Sequence, residues 1–400
     1  MKVLLSSFLC APNKGSELGN GWYWANSLAD HGHEVTVLAL SNFREEVLAA
    51  GRTDIDFRFI DMPKSPLPSF AGSARFFDLY GRWQDAALRC AQETSKKYDV
   101  VHHVVFGSLH LGSSLWRMRA PLVYGPIGGG QTAPANYRRY FGRNWPAEVL
   151  RTAGTGSLLK LIRRSRDTIR RSAVVLATNS ATEAVCRRLG ASDVRYFLAE
   201  GLPSDWLGTP HTRPAGIPTV LWVGRMLPRK APVLAVEAFA ELRRSTPARL
   251  VMVGDGPLRE QVRAAIDRLG IAEDVQLLGQ IEWTDIRPQY DSASVFLFSS
   301  LRDSSGSQFL EALGRGLPAV ALDHHGIGDL KVGPATIKVA LTANPVDLPA
   351  RLGNALQTIL TEREWESRSA AGISWATEHL WSAKAAAATQ IYQEVVQRNG

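Results

Sequence analysis

Short apolar runs alternate with longer amphipathic stretches along most of the 400-residue chain. The first run is KVLLSSF, and EVTVLAL, FRFIDM, DVVHHVV, PLVYGPI, AVVLATN and VRYFLAE follow it before residue 203. Between these runs the pattern predicts helices, and they are placed near Trp22–His31, Phe76–Lys97, Leu109–Met118, Leu158–Arg171 and Thr182–Leu189. Such alternation is typical of βαβ units built around a parallel sheet.

The alternation stops after Leu202, where prolines and a glycine punctuate a polar stretch. It restarts with TVLWVGR and continues through RLVMVGD, DVQLLGQ, SVFLFSS and PAVALDH. We therefore predict an α/β protein with two Rossmann-like, doubly wound domains facing across a cleft, at residues 1–203 and 218–372, joined by a linker at 204–217. The amphipathic stretch Trp375–Gln397 predicts a C-terminal helix within 373–400, which could pack back on either domain.

The composition is that of a soluble globular protein, with 45% hydrophobic and 21% charged residues. The N-terminal apolar stretch is only about eight residues long before Pro12 and Lys14, so we interpret it as a buried strand and not as a signal peptide. No run reaches the roughly 18 apolar residues of a membrane span. The cysteines (Cys10, Cys90 and Cys186) lack metal or redox spacing, which favours a cytoplasmic protein.

The formal net charge is +8, and a basic block between residues 138 and 171 contributes much of it. Only Glu148 and Asp167 oppose its cations, which are Arg138, Arg139, Arg143, Arg151, Lys160, Arg163, Arg164, Arg166, Arg170 and Arg171. The block could attract anionic lipid at the inner membrane face or a phosphorylated acceptor, and a solvated helical face remains the alternative. Because no nucleic-acid-binding signature accompanies the block, we expect no nucleic-acid partner.

The segment from Arg302 to Gly316 carries the clearest chemical pattern. SVFLFSS ends at Ser300, and the following sequence predicts that a helix begins near Ser307. Gly306 would then lie where backbone amides at a helix N-terminus can hold phosphate. Asp303 and Glu311 are eight positions apart, so both could face a ligand at that end of the helix and bind sugar hydroxyls. The alternative is a loop aspartate and a solvent-facing glutamate.

DSSGSQFLEALGRGLPAVA, Asp303 to Ala321, resembles the signature of the family 4 glycosyltransferases, which are retaining enzymes of the GT-B fold. That signature is Glu-x7-Glu followed by an alanine-rich helix and Gly-x-Pro. The resemblance implies that Asp303, in place of the first Glu, approaches the transferred sugar and that Glu311 binds the ribose of the nucleotide. Asp303 is one methylene shorter than Glu, so the choice of sugar could depend on it. The same stretch assigns donor contacts to Gly306, Ser307, Gln308 and Phe309.

Other stretches of the second domain resemble the same family. Val223-Gly224-Arg225 and Lys230 match a motif whose cations contact the diphosphate, and Arg and Lys suit that role chemically. The resemblance also implies backbone approach at Gly254 and Gly256 and base contacts at Gln280 and Ile281. His325-Gly326-Ile327-Gly328-Asp329 stands in the place of a further family motif. Taken alone, the two cations would be ordinary surface charges and the glycines an ordinary turn.

The first domain resembles the family more loosely. Its loop from Asn13 to Trp22 is rich in glycine, and the resemblance places Gly15 and Gly19 against the donor phosphates and Glu17 towards the acceptor. Many family members carry a histidine after the strand equivalent to PLVYGPI, but this chain has glycines there. We name His103 as the catalytic candidate that fills this space, with a hydrogen-bonded structural histidine as the alternative. Weaker acceptor-side candidates are Gly128, Gly129 and Gln131.

The resemblance implies a retaining, front-face displacement that moves a sugar from a nucleotide-diphosphate donor, with a UDP-sugar as the first choice, to a glycan, glycolipid or small-molecule hydroxyl. Arg225, Lys230 and the helix start at Ser307 would stabilise the leaving diphosphate. The sequence contains no Asp-x-Asp metal motif at a strand end, so we expect no metal and no cofactor beyond the nucleotide-sugar co-substrate. A non-catalytic nucleotide-sugar binder and a nucleotide-sugar epimerase of the same fold remain alternatives.

Overall fold

The computed structural model describes residues 1–62, 74–156, 158–361 and 363–399. The chain forms two compact units. The first consists of Met1–Gly130, Ala153–Gly201 and Trp381–Gly400, and the second of Gln131–Thr152 and Leu202–Leu380. Residues 131–152 therefore group with the second unit, whereas the sequence pattern had assigned them to the first domain. The reason is tertiary, because Tyr137, Tyr140 and Arg139 bond to residues of the second unit.

Each unit is built on one parallel sheet. The first sheet has the order β3-β2-β1-β4-β5-β6-β7, and the second has the order β10-β9-β8-β11-β12-β13. In chain order the strands are β1 (Lys2–Ser7), β2 (Glu34–Leu40), β3 (Asp56–Ile60), β4 (Val100–Val105), β5 (Leu122–Ile127), β6 (Val174–Ala177), β7 (Val194–Tyr196), β8 (Thr219–Val223), β9 (Arg249–Val253), β10 (Val275–Gly279), β11 (Val295–Phe298), β12 (Ala319–Asp323) and β13 (Thr336–Ala340). The strand order reverses beside β1 and beside β8, as in doubly wound folds. The predicted pair of Rossmann-like α/β domains is confirmed.

Helices cover the faces of both sheets. Within the described residues they are α1 (Ser16–Asp30), α2 (Arg44–Ala49), α3 (Ala74–Gln92), α4 (Trp145–Gly156), α5 (Arg163–Arg171), α6 (Ser180–Arg188), α7 (Pro232–Arg243), α8 (Arg259–Leu269), α9 (Arg287–Ser292), α10 (Ser307–Gly314), α11 (His325–Asp329), α12 (Leu348–Thr361), α13 (Trp365–Thr377) and α14 (Trp381–Asn399). Central strands such as β4 and β5 are buried along their whole length, because a parallel sheet is covered on both faces. No helix within the described ranges is long and apolar enough to cross a membrane.

Three predicted helices differ from the structure, and the one at Leu158–Arg171 is a 3-10 turn at Leu158–Leu161 followed by α5. Leu109–Met118 forms only a short 3-10 turn at Leu115–Arg117. Gly112 there has a left-handed backbone with a φ of 68°, and the Ser113 amide donates to Thr168 Oγ1 at 2.8 Å, so tertiary bonds anchor a loop. The predicted C-terminal helix is two helices, α13 and α14, and the chain between them is held by the bond from the Leu202 amide to the His379 carbonyl.

Helix α14 belongs to the first unit, where it packs against α1. Its Tyr392 hydroxyl lies 2.5 Å from Nδ1 of the fully buried His102, and its Trp381 stacks on Tyr23. The end of the chain thereby completes the hydrophobic core around β1 and β4.

Candidate functional site

The predicted glycine-to-helix junction of the second unit forms as expected from the sequence. Helix α10 begins at Ser307 and is preceded by Gly306, whose φ is 92°. A side chain at Gly306 would meet the Phe298 ring at 2.6 Å, so only glycine fits between the strand end and the helix. Because β11 ends just before this loop, the amides of α10 open at the carboxyl edge of the sheet, where doubly wound folds bind ligands.

Asp303 and Lys230 form a buried ion pair beside this helix start. Lys230 Nζ lies 2.5 Å from Asp303 Oδ2, and Arg229 lies 3.3 Å from Oδ1. The side chains of Lys230 and Asp303 are 7% and 13% exposed. Burial alone would raise the pKa of Asp303, but the two cations outweigh it and hold that pKa well below its usual range. The structure thus brings together two predicted site residues and adds Arg229, for which the sequence predicted no role.

Glu311 is buried within the first turns of α10 and not solvent-facing. The Trp283 indole donates to Oε1 at 3.1 Å, and the Tyr290 hydroxyl donates to Oε2 at 2.7 Å. The Trp283 ring stacks on Trp206 with a centroid distance of 4.3 Å. Sequence reasoning gave no role to Trp283 or Tyr290. The position of Trp283, two residues after the predicted base-contacting pair Gln280–Ile281, is the sequence feature that could have indicated its role.

The predicted glycine positions after β8 and β9 pack against each other. A Cβ on Gly254 would lie 2.1 Å from the Gly224 carbonyl oxygen, and one on Gly256 would lie 2.9 Å from the Met226 backbone. Glycine is therefore required at both positions so that the turns after β8 and β9 can pack against each other. Arg225, on the first of these turns, is exposed, and no hydrogen bond or ion pair engages its side chain within the described residues.

The remaining donor-side candidates differ in their burial and in their contacts. Gln280 is exposed, Ile281 is half-buried, and Gln308 Oε1 lies 3.4 Å from Lys230 Nζ. Ser307 is half-buried at the helix start. Phe309 does not fit its predicted donor contact, because its ring is buried between Phe298 and Trp375 and its amide donates to the Gly306 carbonyl.

His103 does not fit the catalytic role predicted for it. It is fully buried in the first unit, with Nδ1 2.9 Å from Ser6 Oγ and Nε2 3.1 Å from the Tyr80 hydroxyl. Burial lowers the pKa of His103 to about 4, so the ring is neutral near pH 7. With both nitrogens engaged inside the core, His103 is a structural histidine.

Among the glycine candidates of the first unit, Gly15 precedes α1 and is half-buried, whereas Gly19 faces inward. A Cβ on Gly19 would lie 1.7 Å from the Lys14 carbonyl oxygen, so this position requires glycine to pack the helix on its own loop. The amide of Gly128 donates to Gly107, and its carbonyl accepts from Leu109.

Gly129 has a φ of 117°. Gln131, the last of the acceptor-side candidates, is buried in the second unit, where its carbonyl accepts from Arg151 at 2.7 Å.

Glu17 belongs to a small cluster of titratable groups in the first unit. Its Oε2 atom is enclosed and has no hydrogen-bond partner among the described residues. Burial and the nearby Glu200 raise the pKa of Glu17 to about 8, against a smaller opposing effect of the Gly107 amide. Lys384 of α14 is also buried, and burial lowers its pKa to about 7 although Glu200 opposes this. Sequence reasoning had named Glu17 but neither Glu200 nor Lys384.

The basic block predicted from the sequence is divided between the units at residue 152. Several of its arginines are paired: Arg139 with Glu237, Arg151 with Glu148, Arg164 with Asp85 and Arg166 with Asp167. The Lys160 side chain lies outside the described part of the structure. A search of the described residues finds no group of three His, Cys, Asp or Glu side chains that could hold a metal ion.

The second unit matches a known family. Residues 217–362, which contain Arg225, Lys230, Asp303 and Glu311, match the family model described as "Glycosyl transferases group 1". Residues 217–362 belong to this glycosyltransferase family. The resemblance inferred from the motifs is confirmed.

Two curated glycosyltransferases match less than half of the chain. D-inositol 3-phosphate glycosyltransferase of Frankia alni is 31% identical over 188 residues, which are 44% of this chain and 45% of that protein. GDP-mannose-dependent alpha-(1-6)-phosphatidylinositol monomannoside mannosyltransferase of Mycobacterium tuberculosis is 29% identical over 181 residues, which are 42% of this chain and 46% of that protein. The match thus spans about half the length of these relatives.

Solved structures of similar fold cover nearly the whole chain. Sucrose-phosphate synthase from Thermosynechococcus elongatus superposes with a TM-score of 0.72 at 18% identity and covers 99% of both chains. The Anabaena protein HepE in complex with UDP and glucose has a TM-score of 0.64 at 17% identity, covering 98% of this chain and 99% of that one. At these identities the likeness establishes the fold alone, which is the GT-B fold.

Proposed function

We propose that the protein is a retaining glycosyltransferase that transfers a sugar from a nucleotide-diphosphate donor to a hydroxyl group, without a metal ion or cofactor. A UDP-sugar is the first choice of donor, and the GDP-mannose named for one relative is the second. The acceptor is a glycan, glycolipid or small molecule. The observation that carries the proposal is the Lys230–Asp303 pair at the start of α10, with the exposed Arg225 on the turn after β8.

In the proposed reaction the bond between the anomeric carbon and the diphosphate oxygen breaks while the acceptor oxygen bonds to the same face of that carbon. The acceptor proton passes to the departing diphosphate. Lys230, Arg225 and the amides at Ser307 and Gln308 would stabilise the charge that develops on the leaving group. Asp303 would orient the hydroxyls of the transferred sugar, and Glu311 those of the ribose.

The test is nucleoside diphosphate release from a panel of UDP-, GDP-, ADP- and dTDP-sugars, run with and without EDTA. We expect one donor class to turn over regardless of EDTA, and Arg225→Ala and Lys230→Ala to lower turnover about 100-fold, as loss of a charge-stabilising donor does elsewhere. Arg244→Ala, an exposed arginine on the same unit paired with Glu241, is the matched control and should leave turnover unchanged. Near-wild-type turnover in both site variants contradicts the assignment.

A second candidate function is a non-catalytic nucleotide-sugar binder. The observation in its favour is that Asp303, one methylene shorter than the family's glutamate, is bonded to Lys230 and Arg229. The same panel separates the two functions, because a binder would bind a donor in calorimetry and release no nucleoside diphosphate with any acceptor offered.

Peripheral contact with anionic membranes is a further part of the proposal. Leu150 on α4 and Leu161 just before α5 are 68% and 74% exposed, and both lie within the basic block. Exposed leucines among arginines suit the interface of an anionic bilayer. Flotation with vesicles containing phosphatidylglycerol should carry the protein upward at low salt, and Leu150→Ser together with Leu161→Ser should reduce this. Absence of binding at low salt excludes the contact.

A further inference from the structure

Next to Asp303, Arg302 belongs to a second cluster in which two cations contact one carboxylate, made of Arg302, Arg151 and Glu148. Arg302 Nε lies 2.7 Å from Glu148 Oε1, and the same oxygen accepts a hydrogen bond from Arg151 Nε at 2.9 Å. The Glu148 side chain is 8% exposed, that of Arg302 18% and that of Arg151 24%. Two guanidinium groups therefore share one oxygen of a buried carboxylate.

The electrostatic surroundings of Arg302 are dominated by cations. Burial, together with the neighbouring cations Arg151 and Arg229, lowers the pKa of Arg302 to about 10, and Glu148 opposes this shift. Arg302 still carries its charge at neutral pH. Because the cations around Arg302 outweigh the carboxylate that opposes them, an additional anion at Arg302 would be stabilised.

The adjacent residue shows the same arrangement, since Asp303 is shared by Lys230 and Arg229. In the proposed reaction the positive charge of Lys230 stabilises the leaving diphosphate. No step of that reaction places a negative charge at Arg302.

Segment 131–151 holds the cluster against the site loop. The Thr132 carbonyl is hydrogen-bonded to Nε2 of His325, and the Gln131 carbonyl accepts from Arg151. Gly326, next to His325, packs so closely on the site loop that a Cβ would lie 1.7 Å from the Ser304 carbonyl oxygen. The titratable group beside the cluster is His325, whose pKa is lowered by burial and by Arg302 and Arg151, against an opposing effect of Asp329.

The guanidinium of Arg302 has unused hydrogen-bonding capacity. Its Nε lies 2.7 Å from Oε1 of Glu148 without a hydrogen-bonding geometry, and within the part of the chain that the structure describes its terminal nitrogens have no hydrogen-bond partner. A guanidinium fork with free terminal nitrogens binds carboxylate or phosphate through two parallel hydrogen bonds.

We propose that Arg302 and Arg151, positioned by Glu148, form an anion subsite for a carboxylate or phosphate carried by one of the two substrates. The anion belongs either to the transferred sugar, as in a uronic acid donor, or to the acceptor, as in a sugar phosphate. This inference rests on the proposed function, because it names the substrate class of that same site.

The test is calorimetric titration of the wild type, Arg302→Gln, Arg151→Gln and the control Arg243→Gln, an arginine of the same unit paired with Asp274. The probes are UDP, UDP-glucose, UDP-glucuronic acid, and glucose 6-phosphate added in the presence of UDP. Where UDP binds weakly, GDP and its sugars replace it. Inorganic phosphate is titrated alone, so that the subsite is measured even if no nucleotide binds.

For a sugar carboxylate we expect the wild type to bind UDP-glucuronic acid at least tenfold more tightly than UDP-glucose, a preference that both site variants lose. For an acceptor phosphate we expect glucose 6-phosphate affinity to fall at least tenfold in both site variants. In either case UDP affinity and the Arg243→Gln control stay unchanged. Arg302→Lys, which keeps the charge but not the fork, should recover only part of the affinity.

The proposal is overturned if the site variants match the control for every anionic probe, or if UDP alone loses as much affinity as the anionic probes. If no nucleotide binds the wild type, the proposed function fails by itself, and the inorganic phosphate titration still decides whether the subsite exists.

Discussion

At the scale of single residues, the buried carboxylates of the second unit are distinguished by their partners. Asp303 faces cations, whereas Glu311 accepts hydrogen bonds from Trp283 and Tyr290. Removing one partner of a buried ion pair leaves the other charge uncompensated and costs about 3–5 kcal/mol, so a substitution at Asp303 or Lys230 also lowers the stability of the fold. Their contributions to stability and to chemistry must therefore be measured separately.

Glu311 allows such a separation. Glu311→Gln leaves one carbonyl oxygen for two donors, so we expect a loss of about 1–3 kcal/mol in the free energy of unfolding. If Glu311 binds the ribose, donor affinity should fall about tenfold as well. Tyr290→Phe is the control, since it removes the same hydrogen bond and keeps the carboxylate. Urea unfolding and calorimetry of both variants check this, and equal losses of donor affinity would show that Glu311 only supports the packing.

Glu17 predicts a pH dependence of stability. Its carboxyl keeps its proton in the folded protein up to a pH of about 8, whereas the ordinary pKa of the group is 4.5. Between these values the unfolded chain has released the proton and the folded chain has not, so Glu17 destabilises the fold increasingly as pH rises through this window. Below 4.5 it has no effect, and above about 8 the effect is constant.

Glu17→Gln should therefore gain stability relative to the wild type as pH rises from 4.5 to 8, and level off above that. Glu183→Gln, which removes a surface pair with Arg187, is the control. Urea unfolding at a series of pH values measures the difference, and a pH-independent difference for Glu17→Gln contradicts the account.

At the scale of elements, the turns after β8 and β9 are the least replaceable part of the site. Gly254 combines a φ of 122° with a contact that leaves no room for a Cβ, whereas Gly270, at the end of α8, has a φ of 67° and open space around it. The two positions thus separate the cost of backbone conformation from the cost of a steric clash.

Gly270→Ala should cost about 1 kcal/mol, the backbone penalty alone. Gly254→Ala should cost at least about 3 kcal/mol, because the turns must also move apart. It should weaken nucleotide binding too, since Arg225 follows Gly224 on the displaced turn. Thermal unfolding and calorimetry check both effects, and similar stability of the two variants would exclude close packing of the turns.

The elements also show what the sequence could predict. Strands such as β4 and helix α10 follow from local apolar pattern and turn residues, which act over a few positions. The loop at Leu109–Met118 has a helical pattern but is held by a bond from Ser113 to Thr168, 55 positions away. His103 likewise follows a strand pattern compatible with a ligand, and only the distant Tyr80 and Ser6 show that its nitrogens are engaged. Such contacts depend on topology, which a local pattern does not contain.

At the scale of the whole molecule, chain order and spatial grouping differ in two places. Residues 131–152 leave the first unit to supply Glu148 and Arg151 to the second, and α14 returns to the first unit to bury Trp381 and Tyr392. The family motifs between 217 and 362 were readable from sequence because their residues are close along the chain. The Glu148–Arg302 contact was not, because its members are 154 positions apart.

The central claim is that the molecule transfers a sugar from a nucleotide donor with retention of configuration. Proton NMR of donor hydrolysis tests it without a known acceptor, because water replaces the acceptor hydroxyl. With an α-linked donor selected from the panel, the first sugar released should be the α anomer, before mutarotation mixes the forms, and Lys230→Ala should abolish its appearance. Initial release of the β anomer, or no release of sugar from a donor that calorimetry shows to be bound, contradicts the account.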